Sequence, residues 1–401
     1  CLADDMGLGK TIQALATVYH LNAYPCLVVC PAAVKLNWER ELIKWIPNVK
    51  VIVIDGKNQD YSNDSNFYVI NYDILTKHLE KLQGLGLKAI IADESHYIKS
   101  HKTLRAKAIQ ELAKSIDVRL FLTGTPVVNR PSELIHQLSA MGMINEFGGF
   151  WKFMNRYCAG GTGGASNLDE LNLRMRSQCY IRRLKSEVLT ELPPKVRTIV
   201  PVDINNRNEY NSLVRNFAQW LKENNKNQAA LNAEQLTRIE YLKQIAAKGK
   251  MDAIKEWVLD FQENNEKLVV FAHHIDVQQT LLKEFPTAAR LLGSDNGIIR
   301  QANIDKFQND PSCMLMIAST KAGGIGVTLT AASNVLFCEL GWTPAEHDQA
   351  EDRCHRIGQD SSVNVYYLLG TNTIDEDIMD LLNEKRDVVT KATDGGDFKE
   401  T

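Results

Sequence analysis

The chain has 401 residues, with 46 Lys and Arg against 49 Asp and Glu for a net charge of -3, and 44% of it is hydrophobic. That balance excludes a disordered or fibrous polymer. No apolar run reaches the ~20 residues that cross a bilayer, and nothing reads as a signal peptide. An intracellular protein of two domains, each with its own core, is expected, its compartment being nucleus, nucleoid or cytoplasm according to source. A wholly basic nucleic-acid-binding domain gets no support from the charge. A local basic patch is still available at Arg182, Arg183 and Lys185, with Lys195 and Arg197 nearby, unless these form a solvated helix face. Eight cysteines scattered singly, with no C-x-x-C pair, imply reduced structural thiols.

In chain order, Asp4 to Thr11 comes first and reads Asp-Asp-Met-Gly-Leu-Gly-Lys-Thr. Gly7 and Gly9 let backbone N–H groups close on a phosphate, Lys10 brings a point charge to β/γ oxygens, and Thr11 offers a hydroxyl to Mg²⁺. Ile12, Ala14, Leu15, Ala16, Val18 and Tyr19 predict a helix from there, so a phosphate would meet a helix N-terminus. The strict pattern G-x-x-x-x-G-K-[ST] has glycine where this chain has Asp4. Taken alone, the loop also fits a Gly-containing turn before an ordinary helix.

Short apolar runs at residues 26–30, 51–54, 67–70, 89–92 and 119–122 alternate with helical patterns, which predicts a parallel sheet covered by helices. The fourth run leads into Asp93-Glu94-Ser95-His96, two adjacent carboxylates at the strand end where parallel sheets bind ligands. Asp93 suits a metal and Glu94 the polarising of an attacking water, the two tasks of nucleotide hydrolysis. Carboxylates favoured at a helix N-terminus are the alternative. Leu122-Thr123-Gly124-Thr125-Pro126 follows the fifth run, with hydroxyls placed to hydrogen-bond the Asp-Glu-Ser-His segment, though an ordinary turn reads the same way.

Residues from about 132 to 181 read as helical, broken by the Gly-rich stretch 160–164. Pro193-Pro194 and an extended segment at 198–202 mark a boundary. The expected division is 1–197 and 198–393, with a helical insertion at about 205–262 and a polar tail, 394–401, that frays. Two amphipathic stripes in the insertion are expected to bury: Leu213, Val214, Phe217, Trp220 and Leu221, then Leu236, Ile239, Leu242 and Ile245. A second alternating set follows at 268–271, 313–317, 334–338 and 363–369. Ser319 to Gly326 joins strand to helix, and its glycines and hydroxyls suit close approach to a phosphate. Further on, Arg353 and Arg356 would share one face if their stretch is helical. Delivered by the second domain, they could neutralise charge on a γ-phosphate and make hydrolysis depend on closure, or they could form surface ion pairs with Glu351 and Asp352. Trp38 and Trp342 read as core more readily than as base-stacking platforms, and His273-His274 lacks partner ligands for a metal.

In this order the pieces resemble the helicase-like engine of superfamily 2, specifically the Swi/Snf-type double-stranded DNA translocases. Motif I is Asp4 to Thr11, motif II Asp93 to His96, motif III Leu122 to Pro126, motif V Ser319 to Thr330 and motif VI Gln349 to Gln359. Asp93 to Ser100, Gly164 to Leu168, Ile181 to Leu189 and Phe271 to His274 are similar to the HARP-type annealing helicases, whereas Ser319 to Gly326 is closer to the general Swi/Snf remodeller pattern. The resemblance covers essentially the whole chain. It implies an α/β fold of two tandem RecA-like lobes with a helical insertion between them, and a DNA-dependent ATPase acting on duplex or forked DNA without reading its sequence. It further implies ATP on Asp5, Met6, Gly7, Leu8, Gly9, Lys10 and Thr11, Mg²⁺ on Thr11 and Asp93, a catalytic base in Glu94, Gln349 among the nucleotide contacts, and arginine fingers at Arg353 and Arg356. An RNA helicase of the same superfamily, a remodeller of protein–DNA complexes and a non-catalytic DNA-binding module are the rival readings. The family's adenine-reading glutamine motif lies upstream of motif I; a chain that opens on Cys1 is therefore expected to be an N-terminally shortened piece, the alternative being incomplete nucleotide recognition.

Overall fold

A computed structural model describes residues 1–56, 61, 63–100, 103–128, 130–161, 164–223, 228–320 and 326–395, with the side chains at 218, 220–223 and 228–233 outside that description. The chain divides into two units, Cys1–Thr190 with Lys385–Thr401, and Glu191–Glu384. Lys321 to Ile325 of the Gly-rich joint, Thr162 and Gly163, the side chains of Trp220 and Leu221, and the tail from 396 lie outside the described residues.

The first unit is built on β1 (Cys26–Cys30), β2 (Val51–Val53), β3 (Phe67–Asn71), β4 (Ala89–Asp93) and β5 (Val118–Leu122), in the order β2-β3-β1-β4-β5. Every pairing is parallel. All of β1 and β3 and most of β4 are buried, because strands covered by helices on both faces need continuous apolar runs. Chain order reverses beside β1, so the carboxyl ends of β1 and β4 flank the kind of switch point where ligands bind. Leu2 makes parallel bridges to Leu122 and to Ile181, and the segment entering the glycine loop thus runs beside β5.

The second unit holds β6 (Lys195–Val202), β7 (Leu268–Ala272), β8 (Ala289–Leu291), β9 (Leu315–Ser319), β10 (Asn334–Phe337) and β11 (Val363–Gly370). They form one parallel sheet in the order β6-β11-β10-β7-β9-β8. Its two faces separate by strand periodicity. Val269, Phe271, Val335 and Phe337 enter one core, while Leu268, Val270, Ala272 and Leu336 enter the other.

Three expectations need correction, and one strand was not foreseen. The boundary falls at Thr190/Glu191 and not at 197/198, because Lys195–Val202 is a complete edge strand paired along β11. β8 has only three residues and gave no periodic signal. Among the described residues the insertion contains three helices, Arg207–Glu223, Gln228–Gly249 and Met251–Glu263. On its stripes Leu242 and Ile245 bury, but Val214 and Leu236 face solvent, since short cross-helix packing covers only part of each stripe. Among the described residues no helix is long and apolar enough to cross a membrane.

Candidate nucleotide site

Gly7 and Gly9 adopt φ of 86° and 77°, a left-handed conformation that glycine enters without steric cost. Gly9 is the N-cap of the helix Lys10–His20. First-turn amides there lack intrahelical acceptors, and with the macrodipole they favour an anion. The Lys10 ammonium donates to the carbonyls of Asp4 at 2.6 Å and Asp5 at 3.1 Å. Burial pulls Lys10 down to about 8, against the opposing pull of Glu94 and, more weakly, Asp93 and Asp5.

The residue that departs from the strict loop pattern is a buried anchor. Asp4 accepts from the Arg183 backbone N–H at 2.9 Å, from the Arg183 guanidinium, and from the Gln13 amide at 3.0 Å. Those bonds, Arg183 first, hold its carboxyl below the usual range against the effect of burial. Gln13 also donates to the Leu8 carbonyl at 2.9 Å, so it ties both ends of the loop. Arg182 meets Asp5 at 2.8 Å and Lys185 is buried. In the second unit Lys195 and Arg197 pair with Glu351, Asp348 and Asp352. Four of the five cations expected to form a basic patch are therefore ion-paired within their own units, and the fifth, Lys185, is buried.

Asp93 ends β4 with both carboxylate oxygens engaged once, Oδ2 by the Trp38 indole N–H at 2.8 Å and Oδ1 by the Glu94 amide at 2.9 Å. Each oxygen retains a further acceptor position. Tyr72 donates to the Asp93 carbonyl at 2.7 Å. Burial, then the neighbouring Glu94 charge, pushes the Asp93 carboxyl above its ordinary range. Glu94 sits at φ 49° and ψ 53°, an uncommon conformation for a residue with a side chain and one that tends to mark functional turns. Its carboxylate lies 3.3 Å from His96 Nδ1.

His96 Nδ1 is also 3.3 Å from Thr123 Oγ1, which links the Asp-Glu-Ser-His turn to the segment after β5 as the sequence predicts. A second link was not foreseen. Ser95 donates to Gln137 at 2.8 Å, and Gln137 donates to the Pro126 carbonyl at 2.8 Å. Gly124 closes against the loop: a Cβ there would lie 2.5 Å from Met6 Cγ and 3.5 Å from Lys10 Nζ. Sequence reasoning missed Gln13, Tyr72, Gln137 and the role of Trp38. Only Gln13, one helical turn beyond Gly9, carried a local signal.

In the second unit Gln349 lies half-buried on the helix Pro344–Glu351. That helix ends before Arg353 and Arg356, which occupy the following turns and so do not share a helix face. Arg353 is buried, its carbonyl accepting from Leu329, and Arg356 donates to the Val327 carbonyl at 3.1 Å. Glu351 and Asp352 pair with the β6 cations Lys195 and Arg197. Trp38 is core; the ring of Trp342 lies 4.4 Å from the Lys243 ammonium and its N–H donates to Glu240. His274 pairs with buried Glu339.

Two parallel α/β units, one bearing a glycine loop and an Asp-Glu-Ser-His turn on the carboxyl edge of its sheet, define a helicase-like protein of tandem RecA-like lobes. The chain belongs to the SNF2-related family. An SNF2-related domain matches residues 1–251 and a helicase conserved C-terminal domain matches residues 249–358. The DNA annealing helicase and endonuclease ZRANB3 of Homo sapiens is 36% identical over 420 residues, covering 98% of this chain and 39% of the relative. The SWI/SNF-related matrix-associated actin-dependent regulator of chromatin subfamily A-like protein 1 of Xenopus laevis is 36% identical over 414 residues, covering 98% of this chain and 42% of the relative. A solved Sulfolobus solfataricus SWI2/SNF2 ATPase core in complex with dsDNA is 29% identical with a TM-score of 0.45, covering 99% of this chain and 89% of its own. The chain thus spans about two fifths of the length of these curated relatives.

Proposed function

We propose that the chain is an ATP-dependent motor on duplex DNA, of the annealing-helicase kind, acting on forked or branched substrates. The observation that carries this reading is the gathering of Lys10, a helix N-terminus, Asp93 and Glu94 on the carboxyl edge of one sheet, joined there by Thr123 and Gly124. Backbone amides between Met6 and Gly9 would cradle the phosphates of ATP, the Asp5 N–H being donated to the Arg183 carbonyl, with the Lys10 ammonium on the β/γ oxygens. Thr11 and Asp93 would hold Mg²⁺, and the metal when bound supplies charge neutralisation on the phosphate oxygens. The donor set fits: Mg²⁺ takes one or two protein oxygens and completes its shell with phosphate and water. Among the described residues there is no group of three His, Cys, Asp or Glu side chains that would form a protein-only cage.

Glu94 is assigned to holding and polarising the attacking water; its backbone conformation and the His96 contact fix where that carboxylate lies. Gln349 would contact the nucleotide, and Arg353 and Arg356 would supply the positive charge needed as the γ-phosphate departs. DNA would be gripped through phosphates, so affinity should fall steeply with salt. The relatives' names favour DNA over RNA.

ATP turnover measured alone and with duplex, forked and single-stranded DNA or with RNA tests the reading. Duplex or forked DNA should stimulate most, Glu94→Gln should bind nucleotide without turning it over, and Arg356→Ala should lose turnover. Stimulation by RNA alone, or full turnover in Glu94→Gln, overturns it.

A further inference from the structure

Arg182 has no part in the chemistry above, yet its guanidinium, whose side chain is 7% exposed, joins three segments remote in sequence. Nη2 meets the Asp5 carboxylate at 2.8 Å, Nη1 donates to the carbonyls of Ala3 at 2.8 Å and Gly124 at 3.2 Å, and Nε donates to Asp394 at 2.7 Å. The fork is planar, so these partners are oriented relative to one another as well as bound. Ala3 and the Asp5 side chain bracket the two carbonyls, of Asp4 and Asp5, on which the Lys10 ammonium rests. Gly124 is the residue whose Cα faces Met6 and Lys10. Arg182 therefore sets the spacing between the glycine loop and the segment after β5.

Asp394 follows the last helix, Ile374–Thr393, whose opening residues belong to the second unit and whose end belongs to the first. That end is docked by specific contacts. Asn172 donates to the carbonyls of Ala392 at 3.3 Å and Thr393 at 2.7 Å, Ala392 is fully buried, and Val389 packs against the same core. Asn172 satisfies carbonyls that a helix C-terminus leaves without partners.

We infer that Arg182 is a positioning residue for the phosphate loop, and that through it the docking of the helix end at Val389–Asp394 and the binding of nucleotide are coupled. The inference rests on the reading of the loop as a nucleotide site. Docked, Asp394 draws Nε to one side while Nη2 holds Asp5, which fixes the guanidinium under the loop. Released, Asp394 leaves that orientation undefined, and the loop loses the support of Ala3 and Asp5 together. Coupling of this kind is reciprocal, so nucleotide must tighten the helix end by the factor that the helix end tightens nucleotide.

The test uses the full chain with a fluorescent ADP analogue and Mg²⁺, reading affinity by anisotropy and hydrogen exchange at the 389–394 amides. Asp394→Asn should weaken binding about fivefold or more, the lower range of ordinary coupling. In the wild type, nucleotide should slow exchange at 389–394, and in Asp394→Asn that response should vanish. Arg182→Lys should weaken binding further; if it fails to fold, the Asp394→Asn pair of measurements decides alone. Unchanged affinity in Asp394→Asn, or exchange at 389–394 indifferent to nucleotide in the wild type, overturns the coupling while leaving the nucleotide site in place. Absence of binding to the wild type overturns both.

Discussion

Glu351→Gln is expected to loosen the second unit by about 3 kcal/mol at neutral pH and to lose much of that effect in acid. Glu351 is fully buried and accepts from Arg197 through Nε at 3.0 Å and Nη2 at 2.8 Å, from Lys195 at 2.8 Å, and from the Tyr367 hydroxyl. Removing one partner of a buried ion pair costs ~3–5 kcal/mol. The lower end applies because Arg197 keeps Asp348 at 2.8 Å, Lys195 keeps Asp352 at 3.1 Å, and a glutamine still offers an oxygen to Tyr367. Lys195 and Arg197, in that order, outweigh burial and hold the Glu351 carboxyl well below the ordinary glutamate range. A carboxyl depressed on folding contributes stability in full above its unfolded value and loses it as pH falls toward its folded value. The gap between wild type and variant should therefore be constant from pH 7 to about 5, then narrow by ~1.4 kcal/mol per unit below ~4.3. Hydrogen exchange of β6 and β11 amides, compared at matched pH, reads this unit alone. Exchange about a hundredfold faster at pH 7 is expected. Equal protection at pH 7, or a gap undiminished at pH 3, would refute the reasoning.

Gly124→Ala should force Met6 to move, raising the KM for ATP severalfold at a stability cost of ~1–3 kcal/mol; an unchanged KM would show that the close approach does not matter. Trp38→Phe keeps the buried ring but removes the donor to Asp93, a charge-assisted bond worth ~1.5–3 kcal/mol, and the Mg²⁺ concentration for half-maximal turnover should change while Tm falls modestly. With Lys10 lowered to about 8 by burial, nucleotide affinity should decline above that pH, by up to ~tenfold per unit, as the ammonium that meets the phosphates is lost. Lys10→Arg, whose charge persists, should bind without that alkaline decline, and an identical decline would assign it to another group.

Local chemistry made much of the first unit legible. Gly7, Gly9, Lys10 and Thr11 fall within one five-residue stretch and need no distant residue to suggest a phosphate loop. The buried apolar runs of β1, β3 and β4 were readable for a like reason, since strands covered on both faces carry no competing polar pattern. β8 was not, because its exposed Arg290 interrupts the apolar run that marked the equally short β2, and Leu236 was misread because amphipathic spacing shows a stripe without showing how far its cover extends. Arg353 and Arg356 would have shared a face only if their stretch were helical, and the helix stops at Glu351, which is drawn down onto β6.

The basic cluster is the sharpest contrast. Five cations near one another in the chain read as a patch for phosphates, because sequence counts charge without showing where each charge is neutralised. Folding sends Arg183 to Asp4, Arg182 to Asp5 and Asp394, and Lys195 and Arg197 to the acids around Glu351. By itself the sequence determined the order of motifs and the parallel α/β class, both carried by short spacings and strand burial. Tertiary structure alone decided that Asp4 is an anchor and Trp38 a partner of Asp93. It also decided that Asp394, just past the last helix, meets the Arg182 guanidinium beside the glycine loop. Each of these depends on hydrogen bonds between residues separated by tens to hundreds of positions, whose cost of burial is met only once the sheet has brought them together.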